Sequence, residues 1–200
     1  TTSERVQTLI LGGGQAGLAV GYHLAQRDLP FLILDANEHI GDSWRRRWDS
    51  LRLFTPARLN ALPGMAFPGP PLAFSTKDDV ADYLEGYATR FELPLRTGIR
   101  VDRLSRNGTG FMVEAGDQRF EADNVVVAMG SDQVPRVPDF ADQLDPSIVQ
   151  LHSSEYRTPS QLQEGDVLVV GAANSGAEIA LEAAATHRTW RSGRHPGNER

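Results

Sequence analysis

Three glycines, Gly12, Gly14 and Gly17, stand at Gly-x-Gly-x-x-Gly spacing directly after the apolar run Val6-Gln-Thr-Leu-Ile-Leu11, with Gln15 and Ala16 between the last two. Each position has a mechanical task. Gly12 permits a tight turn out of a strand, Gly14 lets backbone approach a pyrophosphate, and Gly17 lets the following helix pack close to the strand. A helix N-terminus at this point offers free N–H groups and a partial positive charge to phosphate oxygens. Asp35 ends the next apolar run, Phe31-Leu-Ile-Leu34, where a carboxylate can accept hydrogen bonds from a ribose diol. The glycine triplet alone is a weak signal, and a solvated strand-end carboxylate is the plainer alternative for Asp35. Strand, turn, helix and acid in this order read as dinucleotide binding.

A second turn of the same kind follows the run Val167-Leu-Val-Val170. It carries Gly171, Ala173 and Gly176, with Asn174 and Ser175 inside it. Ala173 departs from the pattern at the position that faces a pyrophosphate. One added methyl at a tight contact costs about 1–3 kcal/mol, enough to weaken binding without abolishing it. The strand after this turn has no acid but offers Arg191 and Arg194. Guanidinium in place of carboxylate suits a ribose 2′-phosphate, and so NADP over NAD. The alternative, two surface arginines near a chain end, stays open.

The elements that must position these residues follow from periodicity. Val6 to Asp35 makes one βαβ unit. An irregular stretch, 36–74, is rich in Pro, Gly, Arg and aromatics, and loops this long are usually functional. From Ser75 a helix is expected, capped by Ser75 or Thr76 with Asp78 and Asp79 in its first turn, and with Val80, Tyr83, Leu84, Tyr87 and Phe91 on one face. Turn signals at Asn107-Gly108 and Ala115-Gly116 mark an antiparallel meander that ends in a buried strand over Asn124-Val-Val-Val127. Val127 and Met129 read as core residues. The second βαβ starts near Asp166. The expected fold is α/β, a Rossmann-type domain with a parallel sheet plus a β-meander (residues 1–150). A connecting segment and the first βαβ of a second Rossmann-type domain follow (151–200). Two strands alone leave an apolar edge, so this second domain reads as incomplete.

Composition removes several classes. The chain has 200 residues, a formal charge of −6 and no cysteine. Acidic balance argues against a nucleic-acid surface. Absent thiols exclude disulfides, thiolate metal sites and cysteine nucleophiles. The five histidines are scattered, no metal is expected, and no apolar run approaches the roughly 18 residues of a membrane span. A cytoplasmic location is expected.

Two such turns flanking a meander, with Gly41 to Pro68, Ser75 to Leu93, Val125 to Gly130 and Leu151 to Ile179, resemble the class B flavin-dependent monooxygenases. The closest likeness is to their YUCCA-like branch and its bacterial relatives. The resemblance implies FAD in the first site and NADPH in the second. Gly12, Gly14 and Gly17 would hold the FAD pyrophosphate and Asp35 its ribose. Trp44 and Arg45 would lie on the loop near the flavin, and Val101 on the strand touching adenine. Ala128 and Gly130 correspond to an Ala-Thr-Gly segment in which Met129 replaces threonine. Asn174, Ser175 and Arg194 would contact NADPH. The family signature Phe-x-Gly-x-x-x-His-x-x-x-(Tyr/Trp) survives as His152 and Tyr156, with Pro146 and Ile148 at the Phe and Gly positions. Phe54 stands where animal-type enzymes carry an asparagine near the flavin.

The implied activity is transfer of one oxygen atom from O2 to a small organic substrate, through a C4a-(hydro)peroxyflavin formed after NADPH reduces FAD. The cofactors carry the chemistry and the protein supplies position and dryness. An NAD(P)H-dependent flavin reductase or oxidase on the same scaffold, and a non-catalytic FAD-binding fragment, are the alternatives. No membrane partner is expected, and homo-oligomer formation stays open. His152 with Tyr156 reads equally as a hydrogen-bonded loop pair, and Trp44 with Trp48 as aromatics pinning a long loop.

Overall fold

The computed structural model describes residues 3–131 and 134–194. The chain forms two compact units, one of Thr1–Arg45 with Arg52–Gln133, the other of Arg46–Leu51 with Val134–Arg200. The short segment Arg46–Leu51 lies in sequence inside the first unit but packs in the second.

In the first unit, β1 (Ser3–Leu11), α1 (Gln15–Ala25) and β2 (Phe31–Leu34) form the expected βαβ, β1 and β2 pairing in parallel from Thr8 with Phe31 to Leu11 with Leu34. The irregular stretch contains a single-turn helix α2 (Asp42–Arg45) and two short antiparallel strands, β3 (Arg52–Pro56) and β4 (Phe74–Thr76). Then come α3 (Lys77–Arg90), β5 (Leu95–Arg96), β6 (Arg103–Asn107), β7 (Gly110–Ala115) and β8 (Gln118–Val127). The main sheet has the order β5-β2-β1-β8-β7-β6. Its first three pairings are parallel and its last two antiparallel. The meander is therefore an extension of the parallel sheet, because β8 is long enough to pair with β7 through its first half and with β1 along almost its whole length.

Side-chain alternation along the central strands explains why both faces are dry. Ile10, Phe31 and Ile33 join Leu18 and α3 residues Val80, Tyr83, Leu84 and Tyr87 on one face. Leu9, Leu11, Leu32 and Leu34 join Val113, Phe120 and Ala122 of the meander on the other. A period of two sends successive residues to opposite faces, and strands covered on both sides read as unbroken apolar runs.

Helix α3 starts as its sequence predicts. Thr76 is the N-cap, its side chain accepting from Asp79 N–H while Asp79 accepts from Thr76 N–H, a complete capping box. Two tyrosines on its buried face pin the loop. Tyr83 Oη accepts from Leu62 N–H and donates to Met65 O, both at 2.7 Å, and Tyr87 donates to Pro63 O at 2.6 Å. Burial pushes the Tyr87 hydroxyl up to about 12, with Tyr83 and Tyr22 adding to the effect, so it stays a donor.

The second unit has β9 (Val167–Val170), α4 (Asn174–Ala183) and β10 (Thr189–Ser192), a parallel βαβ. Trp48 and Tyr156 are buried there at 4% and 2% exposure. Asp49 N–H donates to Arg157 O, and Tyr156 Oη donates to Glu182 on α4 at 3.0 Å. A two-stranded sheet covers little of itself, so Leu168, Val170 and Trp190 stay exposed.

Two expectations are corrected. Val127 and Met129 are 61% and 43% exposed, not core, because they sit at the carboxyl end of β8 where the sheet's covering layers stop. The strand Asn124–Val127 is only partly buried for the same reason.

Candidate functional site

The two glycine turns are copies of one structure. Gly12 N–H donates to Leu34 O and Gly171 N–H to Ser192 O, each at 2.7 Å, so both chains leave the strand by the same bond. Gly12 and Gly171 have φ of +108° and +129°, a region in which any side chain is strained. A Cβ on Gly17 would lie 1.9 Å from Gly12 O, and one on Gly176 would lie 2.2 Å from Gly171 O. Helix and turn thus touch through bare backbone in both units. Gly14 and Ala173 are the N-caps of α1 and α4, and neither cap makes a side-chain bond. The first N–H groups of each helix consequently face outward for an external acceptor.

Gly14 supplies the fit test for a phosphate. Its φ of −82° is open to any residue, and a Cβ built on it meets nothing within 4 Å. Bareness here serves neither conformation nor internal packing. It leaves open space in front of the helix N-terminus, which is what close approach of a diphosphate needs. Gln15 and Ala16 are the first residues of the helix behind it.

Asp35 extends from the end of β2 toward this turn. Its Oδ2 accepts from Gly13 N–H at 2.6 Å, and its Oδ1 accepts from the backbone and side-chain amides of Asn37 at 2.8 and 2.9 Å. The carboxylate is held on both oxygens and retains lone pairs for hydroxyl donors. Asp35 O also accepts from Ile99 N–H, and Asn37 O from Gly98 N–H. These bonds bring Val101 to the β2 end, where it packs half-buried on the second core cluster. On the other side of β1, Ala128 N–H donates to Leu11 O, and a Cβ on Gly12 would lie 2.5 Å from Ala128 O. The Ala128–Gly130 segment thus borders the first turn. All these groups sit at carboxyl ends of the parallel strands β1, β2 and β8, where open α/β sheets place their ligands.

Trp44 packs partly buried on the main core. Arg45 is committed elsewhere: its guanidinium bonds Asp82 and Glu85 of α3 at 2.9 and 2.7 Å and Ile40 O at 2.9 Å. Its backbone, not its charge, is what a ligand could meet. Lys77 Nζ, with a 9% exposed side chain, donates to Arg45 O at 3.3 Å and to Asp78 at 2.9 Å, tying α2 to α3.

In the second unit Asn174 and Ser175 open α4 beside Gly171 and Gly176, and Arg194 is exposed just past β10. His152 and Tyr156 do not bond through their side chains. His152 Nδ1 pairs with Ser154 Oγ, while Tyr156 reaches Glu182, and burial with that bond raises the phenol well above its ordinary value. Trp48 Nε1–H is buried without a partner in hydrogen-bond geometry, although Glu178 lies close enough to be influenced by it. A shallow groove lined by Ala177, Leu181 and Arg191 runs along α4, away from the turn. Among the described residues no group of three or more His, Asp or Glu could hold a metal, and no helix is long and apolar enough to cross a membrane. His195 lies outside them.

A family profile described as "Pyridine nucleotide-disulphide oxidoreductase" matches residues 9–191. The chain belongs to that family. Among curated relatives, an uncharacterized CzcO-like oxidoreductase of Geobacillus kaustophilus is 50% identical over 177 residues, covering 88% of this chain and 51% of the relative. The indole-3-pyruvate monooxygenase YUCCA1 of Oryza sativa subsp. japonica is 33% identical, covering 87% and 44%. A flavin-containing monooxygenase from Stenotrophomonas maltophilia superposes with a TM-score of 0.87 at 33% identity, over 94% of this chain and 57% of that one. The chain spans about half the length of the curated relatives it matches. The family likeness read from sequence and the Rossmann-type fold are thereby established.

Three contributors escaped the sequence reading. Gly13 and Asn37 hold Asp35, and Asp-x-Asn is a recognisable side-chain-to-backbone turn that could have exposed the second of them. Lys77 had no local signal, because its carbonyl partner lies 32 residues away.

Proposed function

We propose that this chain is the FAD-binding portion, residues 1–150, and the start of the NADPH-binding portion, residues 151–200, of a flavin-dependent monooxygenase acting on a small organic substrate with O2. The observation that carries the reading is the open space at Gly14, in a turn where Gly12 and Gly17 are locked by backbone contact. Gly12, Gly14, Gln15, Ala16 and Gly17 bind the FAD diphosphate through backbone N–H groups. Asp35, already oriented by Gly13 and Asn37, accepts from the ribose. Val101 flanks the adenine, and Ala128 and Gly130 border the diphosphate. Trp44 and the backbone of Arg45 stand on the flavin side, fixed by the α2–α3 ties. FAD supplies the electron and oxygen chemistry when bound. The protein's part is to place it and keep water away.

The second turn takes NADPH through Gly171, Asn174, Ser175 and Gly176, with Arg194 meeting the 2′-phosphate. Ala173 loosens this grip, in keeping with a coenzyme that must leave each cycle. Monooxygenase names among the relatives support the reaction class.

The test is spectroscopic. Purified protein should be yellow and release FAD on denaturation, and NADPH should bleach it without oxygen. Re-aeration with NADP+ present should give a transient near-ultraviolet absorbance. Bleaching without the transient would assign a reductase instead. A colourless chain that refuses FAD would end the proposal.

A further inference from the structure

We propose that Arg45 is a positioning residue for the FAD site: its guanidinium ties Ile40 to α3, and Ile40 in turn holds Gly13 against Asp35. The inference rests on the FAD reading of the first turn and goes beyond it, by giving a task to a charged side chain that is engaged with α3.

The links run from α3 to the turn. Asp82 and Glu85 stand three apart on α3, so their carboxylates share a face. Arg45 donates to both, at 2.9 and 2.7 Å. The same guanidinium donates to Ile40 O at 2.9 Å. Ile40 is buried, and its Cδ1 lies so close to Gly13 that a Cβ built there would come within 2.5 Å of it. That Cβ would also lie 3.2 Å from Asp35 Oδ2, the oxygen that accepts from Gly13 N–H. Gly13 is thus gripped between a methyl and a carboxylate. Both ends of α2 are fixed as well. A Cβ on Gly41 would lie 2.6 Å from Ala81 O, and Lys77 Nζ donates to Arg45 O.

A planar guanidinium suits this task, because its several N–H groups point in fixed directions and reach acceptors on two elements together. What the tie returns is order in the empty site. With Ile40 held, Gly13 N–H meets Asp35 before any ligand arrives, and the diphosphate and ribose bind without first arranging the turn. With Arg45 released from α3, Ile40 gains freedom to shift, and the cost of ordering Gly13 and Asp35 falls on binding.

The test frees Arg45 from α3 while leaving the turn unaltered. The Asp82 and Glu85 side chains are 74% and 49% exposed, so D82N/E85Q should fold as the unaltered chain does. D123N, which breaks the exposed Arg5–Asp123 pair, is the control. Titration of flavin-free protein with FAD should give a Kd raised about threefold to tenfold in D82N/E85Q, the effect of two exposed ion pairs, and an unchanged Kd in D123N. Exchange of the Gly13 amide, followed by NMR without flavin, should speed up in D82N/E85Q and not in D123N. In a D35A background the two α3 changes should add no further loss of FAD affinity, since both act on one bond. Additive losses there, or equal Kd values for D82N/E85Q and the unaltered chain, would overturn the positioning role. If the unaltered chain binds no FAD while Gly13 exchange still responds, the FAD reading fails, and the role of Arg45 in FAD binding with it.

Discussion

Gly14 and Ala173 hold the same place in two copies of one turn, with φ and ψ of −82° and −170° for the first and −76° and −177° for the second. The backbone does not distinguish them. Only a methyl does, and it points into the space that the first turn keeps clear. The two turns can therefore share a fold while gripping their ligands with different strength.

From this relationship, Gly14→Ala should leave the empty fold as stable as before and weaken FAD binding by roughly one to two powers of ten, the cost of about 1–3 kcal/mol for a methyl at a tight contact. Gly12→Ala should do the opposite. Its φ of +108° and a Cβ 2.5 Å from Ala128 O make it destabilising with no ligand present. Thermal melting of flavin-free protein beside FAD titration separates the two, and similar melting losses in both variants would contradict the argument.

Asp35→Asn should test orientation against charge. The amide cannot accept at both positions that the carboxylate serves, Gly13 N–H and the Asn37 amides. A loss of about 1–3 kcal/mol is expected for a hydrogen bond to a charged group. Fluorescence of released FAD in an equilibrium dialysis series would report it as at least a several-fold rise in Kd.

Tyr156→Phe should destabilise the second unit by about 1 kcal/mol, since Glu182 loses its phenol donor. Binding of 2′,5′-ADP should weaken in step if this bond steadies α4. An unchanged urea midpoint would show the contact to be incidental.

Glu178 gives a pH dependence. Burial pushes its carboxyl above the ordinary 4.5, with the Trp48 indole opposing the shift. The folded protein then holds this proton more tightly than the unfolded chain. Stability contributed by the group is greatest at low pH and declines as pH rises from 4.5 to the raised value. Glu178→Gln should flatten that decline and raise the melting temperature at neutral pH relative to the unaltered protein. Parallel melting curves across this range would refute it.

The capping box of α3 offers a last, purely local check. Thr76→Ala should cost about 1 kcal/mol by removing the acceptor for Asp79 N–H, measurable by chemical denaturation.

Much of this molecule was legible in the chain of letters because the relevant physics is short-ranged. A glycine at positive φ, a Thr-Lys-Asp-Asp cap, Asn-Gly and Ala-Gly turns, and apolar runs buried on both faces each depend on neighbours a few residues away. Those signals sufficed for the βαβ units, the meander, helix α3 and the family. Tertiary structure decided what depends on distant contact. The meander joins the parallel sheet because β8 is long enough to pair on both sides. Val127 and Met129, apolar by type, are exposed because strand ends outlast their covering layers. Arg45 spends its charge on α3, and Trp48 is buried with residues more than a hundred positions downstream, partners that no local pattern encodes. The space at Gly14 likewise depends on which distant segments stop short of the turn, and no local pattern of residues encodes that.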